Sequence, residues 1–216
     1  MSELLNPAVR PAELAAFLAA RMCHDFISPA SAIVSGLDLL EDPSAQDMRE
    51  EAMGLIATSA RKLSDLLSFS RVAFGASAAA ETFDVRELER LAQGVFNHMR
   101  ATLEWAVEPQ AVNKPAARTL LNLAQIAGAA LPIGGVARVR AVQEASSLAI
   151  ACEAEGSRAR LRPEVLAGLR GAPHEEGLPG HWVQAYYLHL FLTEAGGRIF
   201  VDVGEERVVF AATTPA

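Results

Sequence analysis

The residues best suited to chemistry lie together near the N-terminus, in the string His24-Asp25-Phe26-Ile27-Ser28-Pro29. A neutral imidazole nitrogen is a nucleophile that can attack phosphorus and hold a phosphoryl group. Its neighbour Asp25 can orient the ring or accept its proton. Pro29, inside a predicted helix, removes a backbone hydrogen bond and is expected to bend the helix. These residue types predict phosphoryl transfer, with His24 as the nucleophile.

The surroundings of His24 follow from helical geometry. Successive helical residues are about 100° apart, so the residues within about 60° of His24 can be read from the sequence. They are mostly short or polar: Phe17, Arg21, Ser28, Ser31, Ser35 and Asp38. The opposite side carries apolar residues that are expected to form the core: Met22, Phe26, Ile33, Leu37 and Leu40. His24 is therefore predicted to lie on an open polar face that another protein can approach.

Other interpretations of these residues have to be weighed. A histidine on a polar helix face is most often only a solvated side chain. Cys23, His24 and Asp25 have the types of metal ligands, but consecutive helical residues point in different directions and do not converge on one ion. No metal site is predicted. The other histidines are interpreted as surface residues or as satisfied, partly buried ones: His98, His174, His181 and His189.

Two long helices are predicted to carry this site, from about Pro11 to Leu40 and from about Ala45 to Phe74. The second helix has a stripe of apolar and small residues at spacings of three and four: Met48, Ala52, Leu55, Ser59, Leu63, Leu66 and Ser70. A lone pair of antiparallel helices cannot bury such stripes. The hairpin is therefore predicted to form a four-helix bundle by dimerisation.

The rest of the chain predicts a second domain of mixed structure. Residues 75–80 are small and are interpreted as a linker between a hairpin domain, residues 1–75, and a C-terminal domain, residues 81–216. Helices are predicted at Phe83–Thr102, with Asp84 as N-cap, and at Pro115–Ala130, Pro163–Arg170 and His181–Ala195. Strands are predicted at Glu104–Glu108, Val136–Val142, Ser147–Glu155, Arg198–Val203 and Arg207–Thr213. Helices layered on a mostly antiparallel sheet make an α+β fold, with Trp105, Trp182, Tyr186 and Tyr187 as core and rim.

Composition restricts the class of protein. The chain has 19 basic and 26 acidic residues and a net charge of -7, which argues against nucleic acid as the main partner. Its two cysteines, Cys23 and Cys152, have no zinc-type spacing, so a reducing cytoplasm is the expected location. The N-terminus does not have the pattern of a signal peptide, and no apolar run is long enough for a membrane span. No membrane association is predicted.

The residues around His24 resemble those of a known protein family. The string from His24 to Pro29 resembles the phosphoacceptor box of histidine kinases. The longer stretch from Met22 to Asp42 resembles the first helix of the ChpT histidine phosphotransferases, and Arg160–Leu169 is similar to that family too. The resemblance covers nearly the whole chain. It implies a homodimer whose hairpins form a four-helix bundle, each chain also carrying a degenerate kinase ATP-binding domain, in the form of an α/β sandwich.

The resemblance also implies the activity. Phosphate passes from the receiver of a hybrid histidine kinase to His24, and then to aspartates of downstream response regulators. In the ChpT family this phosphorelay belongs to the cell cycle, with CckA upstream and CtrA and CpdR downstream. No cofactor of the chain's own is expected, and Mg²⁺ is expected to come from the partner receiver, because no acidic cluster in this sequence is arranged to hold it.

Departures from the kinase pattern indicate that the chain is not itself a kinase. The string Asn122-Leu123-Ala124-Gln125-Ile126-Ala127 keeps the frame of the kinase asparagine box but places Ile126 where the second asparagine belongs. No Asp-x-Gly-x-Gly loop follows the strand predicted to end near Glu155. ATP binding and autophosphorylation are therefore not expected, and Asn122 is not assigned to magnesium.

The receiver is expected to lie along the bundle beside His24. The residues expected to contact it on the first helix are Arg21, Asp25, Ser28, Ser31 and Ser35. On the second helix, Arg61 or Lys62 is suited to meet the phosphoryl oxygens or an acidic receiver pocket, although both are equally well interpreted as solvated surface charges. Two other hypotheses remain: a dimeric adaptor that binds receivers without accepting phosphate, and an active kinase.

Overall fold

A computed structural model of the chain describes residues 9–75, 81–173 and 180–215. It begins with a helical hairpin, in which α1 spans Pro11–Glu41 and α2 spans Arg49–Ala73. Pro11 suits the first turn of a helix, because its φ is already helical and its missing N–H has no partner there. The second helix was predicted to begin near Ala45. Residues Pro43–Met48 instead form a 3-10 turn.

That 3-10 turn has a local cause. The Asp42 carboxylate accepts hydrogen bonds from the Ser44 backbone N–H, at 2.8 Å, and from the Ser44 hydroxyl, at 2.7 Å. These bonds lower the pKa of Asp42, because they stabilise its charged form. Because these hydrogen bonds stabilise the turn, the second α-helix begins only at Arg49.

Apart from the last turns of α2, which pack against the C-terminal part, the residues buried in the hairpin helices have small or compact side chains. They are Pro29 and Gly36 on α1 and Ala52 and Ser59 on α2. A Cβ atom at Gly36 would lie 2.6 Å from Ile56 Cγ1, so the two helices approach closely at this point. Large apolar side chains face outward instead: Ile27, Val34, Leu37, Met53 and Leu67. Leu37 was predicted to be core in a four-helix bundle, and in the single chain it is exposed, so its burial in a bundle stays a prediction.

The C-terminal part is built on a five-stranded sheet of order β2-β4-β5-β7-β6. In chain order these strands are β2 Ala101–Val107, β4 Gly135–Gln143, β5 Ser147–Glu155, β6 Arg198–Val203 and β7 Arg207–Pro215. Strands β2 and β4 are parallel and the other neighbours are antiparallel. Two three-residue strands, β1 Thr82–Asp84 and β3 Ala111–Asn113, pair separately. With helices packed against this sheet, the predicted α+β fold class is confirmed.

Four helices accompany the sheet: α3 Val85–Phe96, α4 Lys114–Ala129, α5 Pro163–Leu169 and α6 Gly180–Glu194. Asp84 caps α3 by accepting hydrogen bonds from the backbone N–H groups of Arg86 and Glu87, at 2.8 and 3.3 Å, so its predicted role is confirmed. The prediction that this helix continues to Thr102 was wrong. It ends at Phe96, because Ala101–Val107 pairs with β4 as an edge strand.

Two hydrophobic clusters join the hairpin to the C-terminal part. One includes Phe69, Val72 and Ala73 at the end of α2 together with buried residues of α3 and α4. The other packs Trp182 and Tyr186 of α6 against apolar residues of α1: Leu14, Phe17 and Leu18. Most of the predicted linker, residues 76–80, lies outside the described residues, so the domain boundary stays a prediction. In the described part of the chain, no helix is long and apolar enough to cross a membrane.

Candidate functional site

His24 lies on the outer face of α1, with 85% of its side chain exposed. The serines predicted around it, Ser28, Ser31 and Ser35, are exposed as well. Pro29, one turn further along the helix, is buried and lies inside a continuous α1. Two helical turns of short side chains therefore border the imidazole, and nothing bulky on this stretch of α1 shields it.

Asp25 connects His24 to a more buried arginine. Its Oδ1 lies 3.3 Å from His24 Nδ1, and its Oδ2 accepts a hydrogen bond of 2.9 Å from Arg21 Nε. The side chain of Asp25 is 29% exposed and that of Arg21 is 16% exposed. When Nδ1 carries the ring proton, it donates to Asp25, and the lone pair on Nε2 is then left for attack. The 3.3 Å separation is at the long end of the range for a hydrogen bond.

Arg21 also reaches the C-terminal part of the chain. Its Nη1 donates a hydrogen bond to the backbone carbonyl of Gly180, the first residue of α6. One guanidinium therefore contacts a carboxylate on its own helix and a carbonyl 159 positions away in sequence. Arg21 was predicted to bind a partner protein, and the structure gives it these two intramolecular contacts.

A groove of about 320 Å³ runs between the hairpin and the C-terminal part beside His24. Of the predicted site residues, Arg21, His24, Asp25, Ser28 and Lys62 line it together. Ser31 and Ser35 lie further along the exposed face of α1, and Arg61 is exposed on α2 without lining the groove. The structure therefore brings five of the predicted residues together, and it distinguishes Lys62 from Arg61 by position.

The groove also contains residues that were not predicted to belong to the site. His98 Nε2 lies 2.9 Å from Asp65 Oδ2, so α2 and the end of α3 are tied together beside His24. Gln125 of α4 lines the same groove. No local pattern in the sequence pairs Asp65 with His98, because the two residues are 33 positions apart and meet only through tertiary packing.

The remaining histidines differ in their surroundings. His189 Nδ1 lies 3.0 Å from the carbonyl of Leu169, while His181 is exposed near the start of α6. Partial desolvation, and then the positive charges of Arg21 and Arg162, lower the pKa of His181. His174 lies outside the described residues. Within the ranges that the structure describes, no three His, Cys, Asp or Glu side chains gather as a set of metal ligands.

In the helix that resembles the kinase asparagine box, Asn122 makes hydrogen bonds to other parts of the same chain. Asn122 is fully buried, and its Nδ2 donates to the carbonyls of Ala73 and Arg118, at 3.1 and 2.9 Å. Its Oδ1 accepts a hydrogen bond from Gln184 at 3.1 Å, and Gln184 also donates to Gln125 at 2.6 Å. Asn122 therefore joins α4 to the end of α2 and to α6.

Comparison with known proteins places this geometry in context. A family model described as the histidine phosphotransferase C-terminal domain matches residues 85–207. The protein phosphotransferase ChpT of Brucella abortus (strain 2308) is 36% identical over 201 residues, which cover 93% of this chain and 95% of that protein. A solved bacterial phosphotransferase is 35% identical, with a TM-score of 0.84, and the match covers 94% of this chain and 97% of that one.

Proposed function

The chain belongs to the histidine phosphotransferase family, and on this premise we propose that His24 accepts a phosphoryl group from one receiver domain and passes it to another. The observation that carries the assignment of the site is the exposed imidazole of His24 with the carboxylate of Asp25 beside its Nδ1. This geometry leaves Nε2 as the outward nucleophile. The receiver supplies the phosphorylated aspartate and the Mg²⁺, and the phosphotransferase supplies the acceptor.

The proposed transfer is a displacement at phosphorus. The lone pair of His24 Nε2 forms the new P–N bond while the bond from phosphorus to the aspartyl oxygen of the receiver breaks, and the electron pair returns to that carboxylate. Asp25 keeps its hydrogen bond to the Nδ1 proton and stabilises the positive charge that develops on the ring. Lys62 lines the same groove and offers an ammonium group to the phosphoryl oxygens. The second transfer, to another receiver, is this step in reverse.

Docking of the receiver is proposed along the exposed face of α1. Ser28, Ser31 and Ser35 are short and exposed, so a helix of the partner can lie close to the backbone there. Arg61, exposed on α2, is available to acidic residues at the rim of the receiver. The resemblance to ChpT extends the proposal to a cell-cycle phosphorelay with a CckA-like hybrid kinase as donor and CtrA-like and CpdR-like regulators as acceptors. A cytoplasmic location accords with such partners.

A homodimer is proposed from the outward face of the hairpin. Ile27, Val34 and Leu37 follow one another at intervals of seven and three residues, and Met53, Ala60 and Leu67 follow at intervals of seven. This is the spacing of residues that pack between helices in a bundle. All six are exposed in the single chain. A second hairpin that packs against this face buries them and completes a four-helix bundle.

The test of the site is transfer from a phosphorylated receiver in the absence of ATP. Radiolabelled receiver is mixed with the wild type, with His24→Ala and with the control His181→Gln, which removes another exposed histidine. We expect acid-labile label on the wild type and on the control, and none on His24→Ala. Equal labelling of His24→Ala would overturn the assignment. An unlabelled wild type that still binds the receiver would favour the adaptor hypothesis.

A further inference from the structure

Arg21 is the feature of the site that transfer chemistry alone does not explain. It lies three residues before His24 on α1 but is largely withdrawn from solvent. Its Nε donates to Asp25, and its Nη1 donates to the carbonyl of Gly180 on α6. An arginine that binds an incoming receiver needs donors directed outward, and at least two of the Arg21 donors are directed inward.

We propose that Arg21 is a positioning residue: it ties Asp25 to the start of α6, so that the C-terminal domain sets the geometry of the His24 imidazole. This inference rests on the proposed function of His24. Arg21 touches neither the receiver nor the phosphoryl group. It acts through Asp25, whose second oxygen contacts the imidazole.

The first turns of α6, which carry the Gly180 carbonyl, are packed against two other helices. Trp182 and Tyr186 of α6 stack with a ring-centroid separation of 4.4 Å, and both are fully buried against the first turns of α1. Gln184 holds α6 to α4 through its hydrogen bond to Gln125. The turn of α6 that follows Gly180 is therefore packed against α1 and α4, and the Arg21 guanidinium bridges Asp25 and the Gly180 carbonyl beside that packing.

Arginine suits this role for a geometric reason. Its planar fork presents Nε and Nη1 to two acceptors in different directions, whereas the single ammonium of lysine is a compact point charge. The hydrogen bond to the Gly180 carbonyl holds the guanidinium, and the guanidinium in turn holds Oδ2 of Asp25. Oδ1 is then directed to His24 Nδ1. Without Arg21, the carboxylate of Asp25 is free to rotate towards water, and fewer molecules present the imidazole in line with the receiver phosphorus.

A positioning residue and a receiver-binding residue predict different kinetics. Single-turnover transfer is measured against receiver concentration for the wild type, Arg21→Gln, Arg21→Lys, Asp25→Asn and the double variant Arg21→Gln/Asp25→Asn. We expect Arg21→Gln to lower the maximal rate about tenfold, the size of one lost charge-assisted hydrogen bond, with an unchanged half-saturating receiver concentration. Arg21→Lys should recover part of the rate, and Arg21→Gln should add less than about twofold to Asp25→Asn.

The controls separate this inference from folding and from the proposed function. Arg10→Gln removes an exposed arginine just before α1 that, among the described residues, pairs with Glu13, and it should change neither kinetic parameter. If Arg21→Gln does not fold, Arg21→Lys carries the comparison. A raised half-saturating concentration with an unchanged maximal rate would overturn the inference, as would full additivity with Asp25→Asn.

A second readout does not depend on transfer. The ring ¹⁵N signals of His24 report the hydrogen bond at Nδ1, and they should shift in Arg21→Gln and shift less in Arg21→Lys. Unchanged ring signals in Arg21→Gln would overturn the inference even if transfer by this variant is slowed. A wild type that takes no label refutes the proposed function, whereas the ring signals still decide whether Arg21 positions Asp25.

Discussion

The hairpin and the C-terminal domain bury their side chains in opposite ways. In the C-terminal part the fully buried residues around the sheet include large ones, among them Leu120, Leu148 and Phe210. Between the helices of the hairpin the buried residues are small, among them Gly36 and Ala52. The C-terminal domain therefore has a core of its own, whereas the apolar side chains that would make a core for the hairpin face outward.

This difference indicates a division of labour. The C-terminal part packs its helices around the sheet. The hairpin carries His24 and exposes a row of apolar side chains, and it is held by α6 on one side and by α3 and α4 on the other. A second copy of the hairpin would complete it.

The largest effect is expected at Phe210, which is fully buried in β7. Phe210→Ala should lower the free energy of unfolding by about 3–5 kcal/mol, because it leaves a cavity in a close-packed core. Urea unfolding followed by circular dichroism measures the change. The comparison is Leu37→Ala, which removes an outward residue of the hairpin, so its cost should depend on protein concentration. If Leu37→Ala lowered the free energy of unfolding as much as Phe210→Ala does, at every protein concentration, Leu37 would belong to the core of the single chain.

The next effect concerns the outward face of the hairpin. Val34→Glu places a charge where the proposed dimer buries an apolar side chain, so the variant should be a monomer. Light scattering coupled to gel filtration should give the mass of two chains for the wild type and of one chain for Val34→Glu. Ser35→Glu, one residue further on and equally exposed, is the matched control and should remain a dimer. A monomeric wild type would refute the dimer.

The third effect distinguishes the two sides of the hairpin helices. Gly36→Ala places a Cβ atom 2.6 Å from Ile56 Cγ1 and 3.1 Å from the Ala52 carbonyl oxygen, and this crowding should cost about 1–3 kcal/mol. Gly54→Ala meets nothing within 4 Å and should stabilise its helix by about 0.5–1 kcal/mol. Thermal unfolding should therefore show shifts of opposite sign. Two shifts of the same sign would mean that the helices do not approach at Gly36.

The smallest effect is at His181, whose pKa is lowered first by desolvation and then by Arg21 and Arg162. Removing one positive charge with Arg21→Gln should raise this pKa, and Arg21→Lys should keep it lower, as measured by NMR titration of the imidazole protons. The native state disfavours the proton on His181, so stability is lost as the pH falls from the pKa of this group in the unfolded chain to its lower pKa in the native state. An unchanged pKa in Arg21→Gln would place Arg21 away from α6.

Much of the fold followed from local patterns. Strands β5 and β6 begin and end where the sequence predicted, and β5 alternates buried and less buried residues along its length, as a half-covered strand does. The strands β1 and β3 were missed, because three residues are too few to show a period and the partners are far apart in sequence. The third helix was predicted too long for a similar reason. Ala101–Val107 is a strand because it pairs with β4, and no Gly or Pro lies between Phe96 and Ala101 to indicate the end of the helix.

The site was predictable to the extent that one helix defines it. His24, Asp25 and the surrounding serines lie on one face of α1 at the angles that helical geometry gives. The contacts that cross between elements were not predictable, because Arg21 meets Gly180 and Asp65 meets His98 only after the chain folds. Leu37 is different: its apolar character was evident from the sequence, and its exposure in the single chain leaves the predicted burial in a bundle untested.

His24 is proposed to carry the phosphoryl group from one receiver to another, and a reconstituted relay tests this role most directly. A labelled donor receiver is removed after reaction with the phosphotransferase, and a second, unlabelled receiver is then added. Label should reach the second receiver through the wild type and through a variant in which His174, His181 and His189 are all glutamine, but not through His24→Ala. Label that reaches the second receiver equally well through His24→Ala would contradict the account.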